Sequence, residues 1–125
     1  MIQQKHAMSY LFIALTIAFT VAGQLIVKWG MSSVGARPEG LDIAHYMLRV
    51  LLNPGFILGM SCAVVAAVCW ALTLTVTPIS FAYPFTTLGL VLVMLLSGLI
   101  FGETVPANRW IGVVVVIAGV IIAAR

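Results

Sequence analysis

Charge is what this sequence has least of. Three acidic residues, Glu39, Asp42 and Glu103, and six basic ones make up 7% of the 125 residues. An ordinary soluble domain carries roughly 25%. With 63% hydrophobic residues and a mean hydropathy of +1.22, this scarcity excludes a water-soluble enzyme and makes the bilayer the solvent. Lys28, Arg37, Arg49 and Arg109 are scattered rather than clustered, so the net charge of +3 is no nucleic-acid footprint, and membrane lipid phosphates are the anions that suit it. Cysteine is nearly as scarce. Cys62 and Cys69 lie seven residues apart in one apolar run, about 10 Å along a helix axis, and cannot bond to each other. No CxxC or HExxH spacing occurs, so no metal, no cofactor and no catalytic group is expected, and both thiols read as small core hydrophobes.

Long apolar runs are what the chain has instead. They predict an all-α membrane protein in one domain, residues 1–125, with spans at about Ser9 to Lys28, Phe56 to Val76, Ile79 to Phe101 and Arg109 to Ala124. Lys5 and His6 precede the first run as in a signal peptide, but that run is too long and three more follow, so it is read as a mature helix. Thr77-Pro78 forces a tight hairpin, and Gly102 to Pro106 another. Only the first loop is long. Within Leu41 to Leu52, Asp42, His45 and Arg49 recur at helical spacing beside apolar residues, which predicts either a short amphipathic helix lying in the interface or an extension of the second span broken at Asn53-Pro54. Basic residues favour the side of the loops over that of the termini by four to two, placing the loops in the cytoplasm by the positive-inside rule while leaving dual insertion open.

The few polar residues inside the spans are patterned. Thr16, Thr20, Gln24 and Lys28 recur every fourth position of the first span, each rotated about 40° from the last, and so form one stripe. In lipid that stripe must face other helices or a wet cavity, although threonines also bond carbonyls four residues back and Lys28 stands near enough to the span's end to snorkel. Pro84 removes a donor and frees the Ser80 carbonyl, predicting a kink or opened turn with Tyr83, Thr86 and Thr87 as lining residues; a kink made only for packing is the alternative. Gly112 and Gly119 form a small-residue seam, read as an oligomer contact. No carboxylate falls in the middle of a span, which a proton-coupled carrier would need. Glu103 is left to pair with Lys28 or Arg109, or to solvate its turn.

Ala22-Gly23-Gln24-Leu25 with Lys28, Trp70 before Pro78, Ala82-Tyr83-Pro84, Gly102-Glu103 and the Gly112-to-Gly119 spacing together resemble the drug/metabolite transporter superfamily. Within it, the chain is similar to the four-helix subunits of the aminoarabinose-phosphoundecaprenol flippase. It also resembles the small multidrug resistance exporters, but their essential membrane glutamate falls on Thr20, and of their binding aromatics Tyr83 fits while a tryptophan falls on Thr86. The long first loop departs from both groups.

The resemblance implies a bacterial inner-membrane flippase subunit for a lipid-linked sugar phosphate or polyprenyl phosphate, working as a homodimer or as a heterodimer with a similar subunit. Lys28 would be the point charge for phosphate, and Gln24 and Thr20 would offer hydrogen bonds. Tyr83, Thr86 and Glu103 would complete the site. Two other functions stay open: an exporter of small cationic solutes, which the missing carboxylate disfavours, and an accessory subunit without transport of its own.

Overall fold

Across residues 2–125, which the computed structural model describes, the chain forms six helices: α1 (Ile2–Val34), α2 (Ile43–Leu51), α3 (Pro54–Val76), α4 (Ile79–Thr86), α5 (Leu88–Phe101) and α6 (Ala107–Ala123). Three stretches are long and apolar enough to cross a membrane: Gln3–Val34, Pro54–Val76 and Ile79–Phe101, the last made of α4 and α5 together. The fourth apolar helix, α6, has 17 residues, a length of about 25 Å at the α-helical rise. The protein is thus an all-α bundle with three helices of membrane length, a shorter apolar helix and a short loop helix.

Local chemistry explains the boundaries. Asn53 starts α3 by accepting hydrogen bonds from the Gly55 and Phe56 amides at 2.9 and 3.1 Å, with Pro54 in the first turn, where no donor is needed. Gly102, with φ of 65°, ends α5 in the left-handed region that a glycine enters freely. The loop helix α2 buries none of its residues, and Tyr46 Oη ties it to the end of α1 by donating to the Gly35 carbonyl at 2.9 Å. In α1 the helix continues past Lys28 to Val34, so Lys28 lies inside the helix, about 9 Å short of its end, rather than at a terminus.

The interruption in the third apolar stretch falls at Thr87, three residues after Pro84, and it tightens rather than opens. The Thr87 amide bonds the Pro84 carbonyl and the Leu90 amide bonds the Thr87 carbonyl, both three residues back, at 3.3 and 3.0 Å. The Thr86 and Thr87 hydroxyls donate to the carbonyls of Tyr83 and Pro84 at 2.7 and 2.6 Å. The hydroxyls expected to face a cavity are used to hold the backbone.

The bundle is built on an antiparallel α1/α3 pair. At one end Thr77 Oγ1 donates to Ser9 Oγ at 2.7 Å, and Ser9 in turn donates to the Lys5 carbonyl. At the other end the backbones themselves meet: a Cβ on Gly55 would lie 2.5 Å from Gly30 Cα, and one on Gly23 would lie 2.9 Å from the Gly59 carbonyl oxygen. Gly55 and Gly59 are the small-xxx-small pair that lets membrane helices approach this closely. The α5 segment also packs on α1, whereas α6 rests on α4 and α5 and buries only Val120. Most large apolar side chains point outward, among them Leu58, Val64, Leu90, Leu99, Ile111 and Ile122. A water-soluble monomer does not expose apolar surface on this scale; acyl chains cover it at no cost.

Candidate functional site

The close approach of α1 and α3 leaves an open groove beside it, with a volume of about 510 Å³. It runs from Thr16 and Trp70 at one end, past Thr20, Gly23 and Gln24, to Val27 and Gly59 at the other, and Met60, Ala63, Ala66 and Ala67 form its α3 wall. Gly59 and the alanines on α3, with Gly23 on α1, make the space; the polar stripe on α1 decorates it. Thr16 spends its hydroxyl on the Phe12 carbonyl at 2.8 Å, the local bond that a threonine in an apolar helix makes most cheaply. Among the described residues neither Thr20 nor Gln24 makes a side-chain hydrogen bond, so a hydroxyl and an amide are free in a mostly apolar groove.

Lys28, the fourth member of the stripe, lies one turn beyond Gln24 and next to Val27, but does not itself line the groove. Its ammonium is paired with the Glu103 carboxylate and stands 4.8 Å from the centre of the Phe101 ring. Of the outcomes open to Glu103 from the sequence, pairing with Lys28 or Arg109 or solvating its turn, the fold selects Lys28, across 75 positions of chain. The Lys28 ammonium holds the Glu103 carboxyl below the usual carboxylate range, with smaller help from the Ser97 hydroxyl and Arg109. Glu103 also lines a second cavity of about 280 Å³ whose walls include Met94, Leu95, Val105 and Trp110.

The remaining expected site residues are spread. Tyr83 is exposed, but its ring packs edge-on against Trp70, 5.8 Å between centres, and so adjoins the groove's inner end. Thr86 is engaged with the Tyr83 carbonyl and lines none of these cavities. Gly112 and Gly119 look onto open space, with nothing within 4 Å of where a Cβ would stand. The structure thus brings Thr20 and Gln24 together in one groove, joins Lys28 to Glu103 beyond it, and leaves Thr86 and the glycine seam apart. The alanine wall of α3 went unrecognised because alanine has no signature of its own in a membrane helix. The Gly55-to-Gly59 spacing was the one available signal for the approach that creates the groove. Among the described residues no three His, Cys, Asp or Glu side chains gather where they could hold a metal.

Known proteins carry the same arrangement of sequence. A probable 4-amino-4-deoxy-L-arabinose-phosphoundecaprenol flippase subunit ArnE of Salmonella newport is 40% identical over 110 residues, 88% of this chain and 91% of the relative. The chain belongs to the ArnE/ArnF family of flippase subunits. A second ArnE, from Salmonella enteritidis, is 34% identical over 112 residues with the same coverage. An ArnF of Aeromonas salmonicida is 29% identical over 117 residues, 90% of this chain and 76% of the relative. No family model and no solved structure matches the chain. Membership of the ArnE/ArnF family makes it a transport subunit rather than an enzyme, and its long apolar helices together with its bacterial relatives make it an integral protein of the bacterial inner membrane.

Proposed function

We propose that the chain is a four-span subunit of a flippase that moves a sugar joined through phosphate to a polyprenyl carrier. The observation that carries this is the 40% identity to an ArnE that spans 91% of that relative, whose name gives the substrate as 4-amino-4-deoxy-L-arabinose-phosphoundecaprenol. The α1/α3 groove supports it physically. Its open apolar walls suit a polyprenyl chain, while Thr20 and Gln24 offer a headgroup or sugar the hydrogen bonds they do not make to protein. Lys28, one turn further, is the point charge for phosphate. Membrane lipids cover the rest of the outward apolar surface. In this reading α6 is the fourth span, shorter than the roughly 30 Å hydrocarbon core and accommodated by local thinning. One such chain is narrow for a pathway, so a second copy or a similar subunit completes it through the exposed face that carries Gly112 and Gly119.

An exporter of small cations is disfavoured by the groove itself, because every residue lining it is uncharged. The test is a photoreactive undecaprenyl phosphate added to the purified chain in nanodiscs. Labelling should fall on peptides of α1 and α3 and decline when Ala63→Trp fills the groove. Labelling confined to the outer face of α6 and indifferent to that substitution would contradict the proposal.

A further inference from the structure

The loop helix α2 lines neither the groove nor the ion pair, yet its residues are ordered around its circumference. At about 100° per residue, Ile43, Met47 and Leu51 share one face with Leu48 beside them, while Asp42 at the cap, His45 and Arg49 share the opposite one. Tyr46 and Val50 lie between the two faces, and within α2 they are the residues that the bundle partly covers. The fold therefore holds α2 by its flank and leaves the apolar face free. Ile43, Met47 and Leu51 are 62%, 49% and 50% exposed.

What covers that face follows from where α2 is held. The 23 residues of α3 measure about 34 Å, little more than the roughly 30 Å hydrocarbon core, so its first residue, Pro54, stands at the edge of the core. Only Leu52 and Asn53 separate α2 from that point. The loop helix also turns sideways there. Tyr46 Oη donates to the Gly35 carbonyl at 2.9 Å, and Asn53 Nδ2 donates to Ser33 Oγ at 3.3 Å. Tyr46 and Asn53 are seven positions apart, about 10 Å along a helix, whereas the residues that receive them are two apart. A helix running beside α1 would be tied at points as widely spaced as its own residues, so α2 crosses the end of α1 instead. The exposed rings of Trp29 and Trp110 lie at this same end, the depth that such rings take at a membrane surface.

We infer that α2 docks in the interfacial layer of the bilayer, its Ile43, Met47 and Leu51 face sunk into the boundary between headgroups and acyl chains and its His45 and Arg49 face among the headgroups. Apolar area drives the docking. Across residues 35–53 the charges of Arg37 and Arg49 are balanced by Glu39 and Asp42, so attraction to anionic lipid is not what holds the helix. This surface is independent of what the groove carries.

The test places a spin label at Met47→Cys, Leu51→Cys, His45→Cys or Arg49→Cys of the full chain, with Cys62→Ala and Cys69→Ala, in phosphatidylcholine nanodiscs. Labels at 47 and 51 should collide several-fold more with oxygen, which concentrates in the acyl region, than with a water-soluble nickel chelate, and labels at 45 and 49 should show the reverse. Added phosphatidylglycerol should leave both results unchanged. The unmodified chain answers the same question: a phosphatidylcholine with a carbene precursor near the head of its acyl chain should mark Met47 and Leu51 and spare Arg49. Equal access of the nickel chelate to both faces would overturn the inference, as would insertion seen only with the anionic lipid. Labels at 47 and 51 closed to both reagents, with no carbene marking, would give the face to a second copy or another protein and overturn it too.

Discussion

At the scale of single residues, glycine and glutamate carry the testable consequences. Gly55 has no space for a methyl group, because the atoms a Cβ would meet most closely, Gly30 Cα at 2.5 Å and Gly30 N at 3.0 Å, are backbone and cannot swing aside. Gly55→Ala should therefore destabilise by about 1–3 kcal/mol, the usual range for overpacking, read as a lowered unfolding temperature in detergent. Gly112→Ala, which meets nothing within 4 Å, should leave the isolated chain's stability unchanged. Glu103 gives a pH dependence. Its folded-state pKa lies below the ordinary 4.5 because of Lys28, so its contribution is fully present above that value and is lost as pH falls through the lower, folded one. Thermal unfolding followed downward from neutral pH should show this acid limb in the parent and a flatter one in Glu103→Gln. None of these contacts was specified by sequence alone. Glu103 had two possible partners, Lys28 and Arg109, or none, until the fold brought Lys28 to it, and the Ser9–Thr77 bond joins hydroxyls 68 positions apart.

Among the elements, what is periodic and apolar was legible and what depends on contact was not. The all-helical class followed from hydropathy, because a bilayer admits few other solutions for such runs. The tight hairpins were signalled by Thr77-Pro78 and by Gly102 to Pro106, and the separate loop helix was one of two readings of the spacing of Asp42, His45 and Arg49. The ends of α1 were not legible in the same way. Hydropathy falls off near Lys28 while helical hydrogen bonding does not, so the helix runs on to Val34. Pro84 signalled an interruption, but its exact place was decided by the hydroxyls of Thr86 and Thr87, which compete locally for carbonyls. Choosing among glycine seams likewise needs the fold. The Gly55 and Gly59 seam is occupied within the chain by α1, whereas that of Gly112 and Gly119 on α6 is uncovered. An uncovered seam gains little from lipid, so it is expected to meet another subunit. Leucine at both Gly112 and Gly119 should weaken assembly, seen as a shift to smaller species by crosslinking and detergent sizing; an unchanged oligomer would show that the face contacts lipid only.

For the whole molecule, the arrangement is a groove held open by small residues on α3, a polar stripe on α1, and one ion pair at the stripe's end. The stripe was legible from its four-residue spacing. That its lower part lines a groove while Lys28 stands outside it, paired, became visible only with α3 and the turn after α5 in position. The central claim is that this end of the stripe holds a lipid-linked phosphate, and it is distinguished from a lysine that merely anchors a helix near the interface. The measurement is equilibrium binding of undecaprenyl phosphate to the parent protein and to Lys28→Gln and Lys28→Ala, at matched folded amounts. A phosphate anchor predicts that both variants lose roughly tenfold or more in affinity, the worth of a charge-assisted hydrogen bond. Equal affinity across all three proteins would contradict it and take Lys28 out of the site.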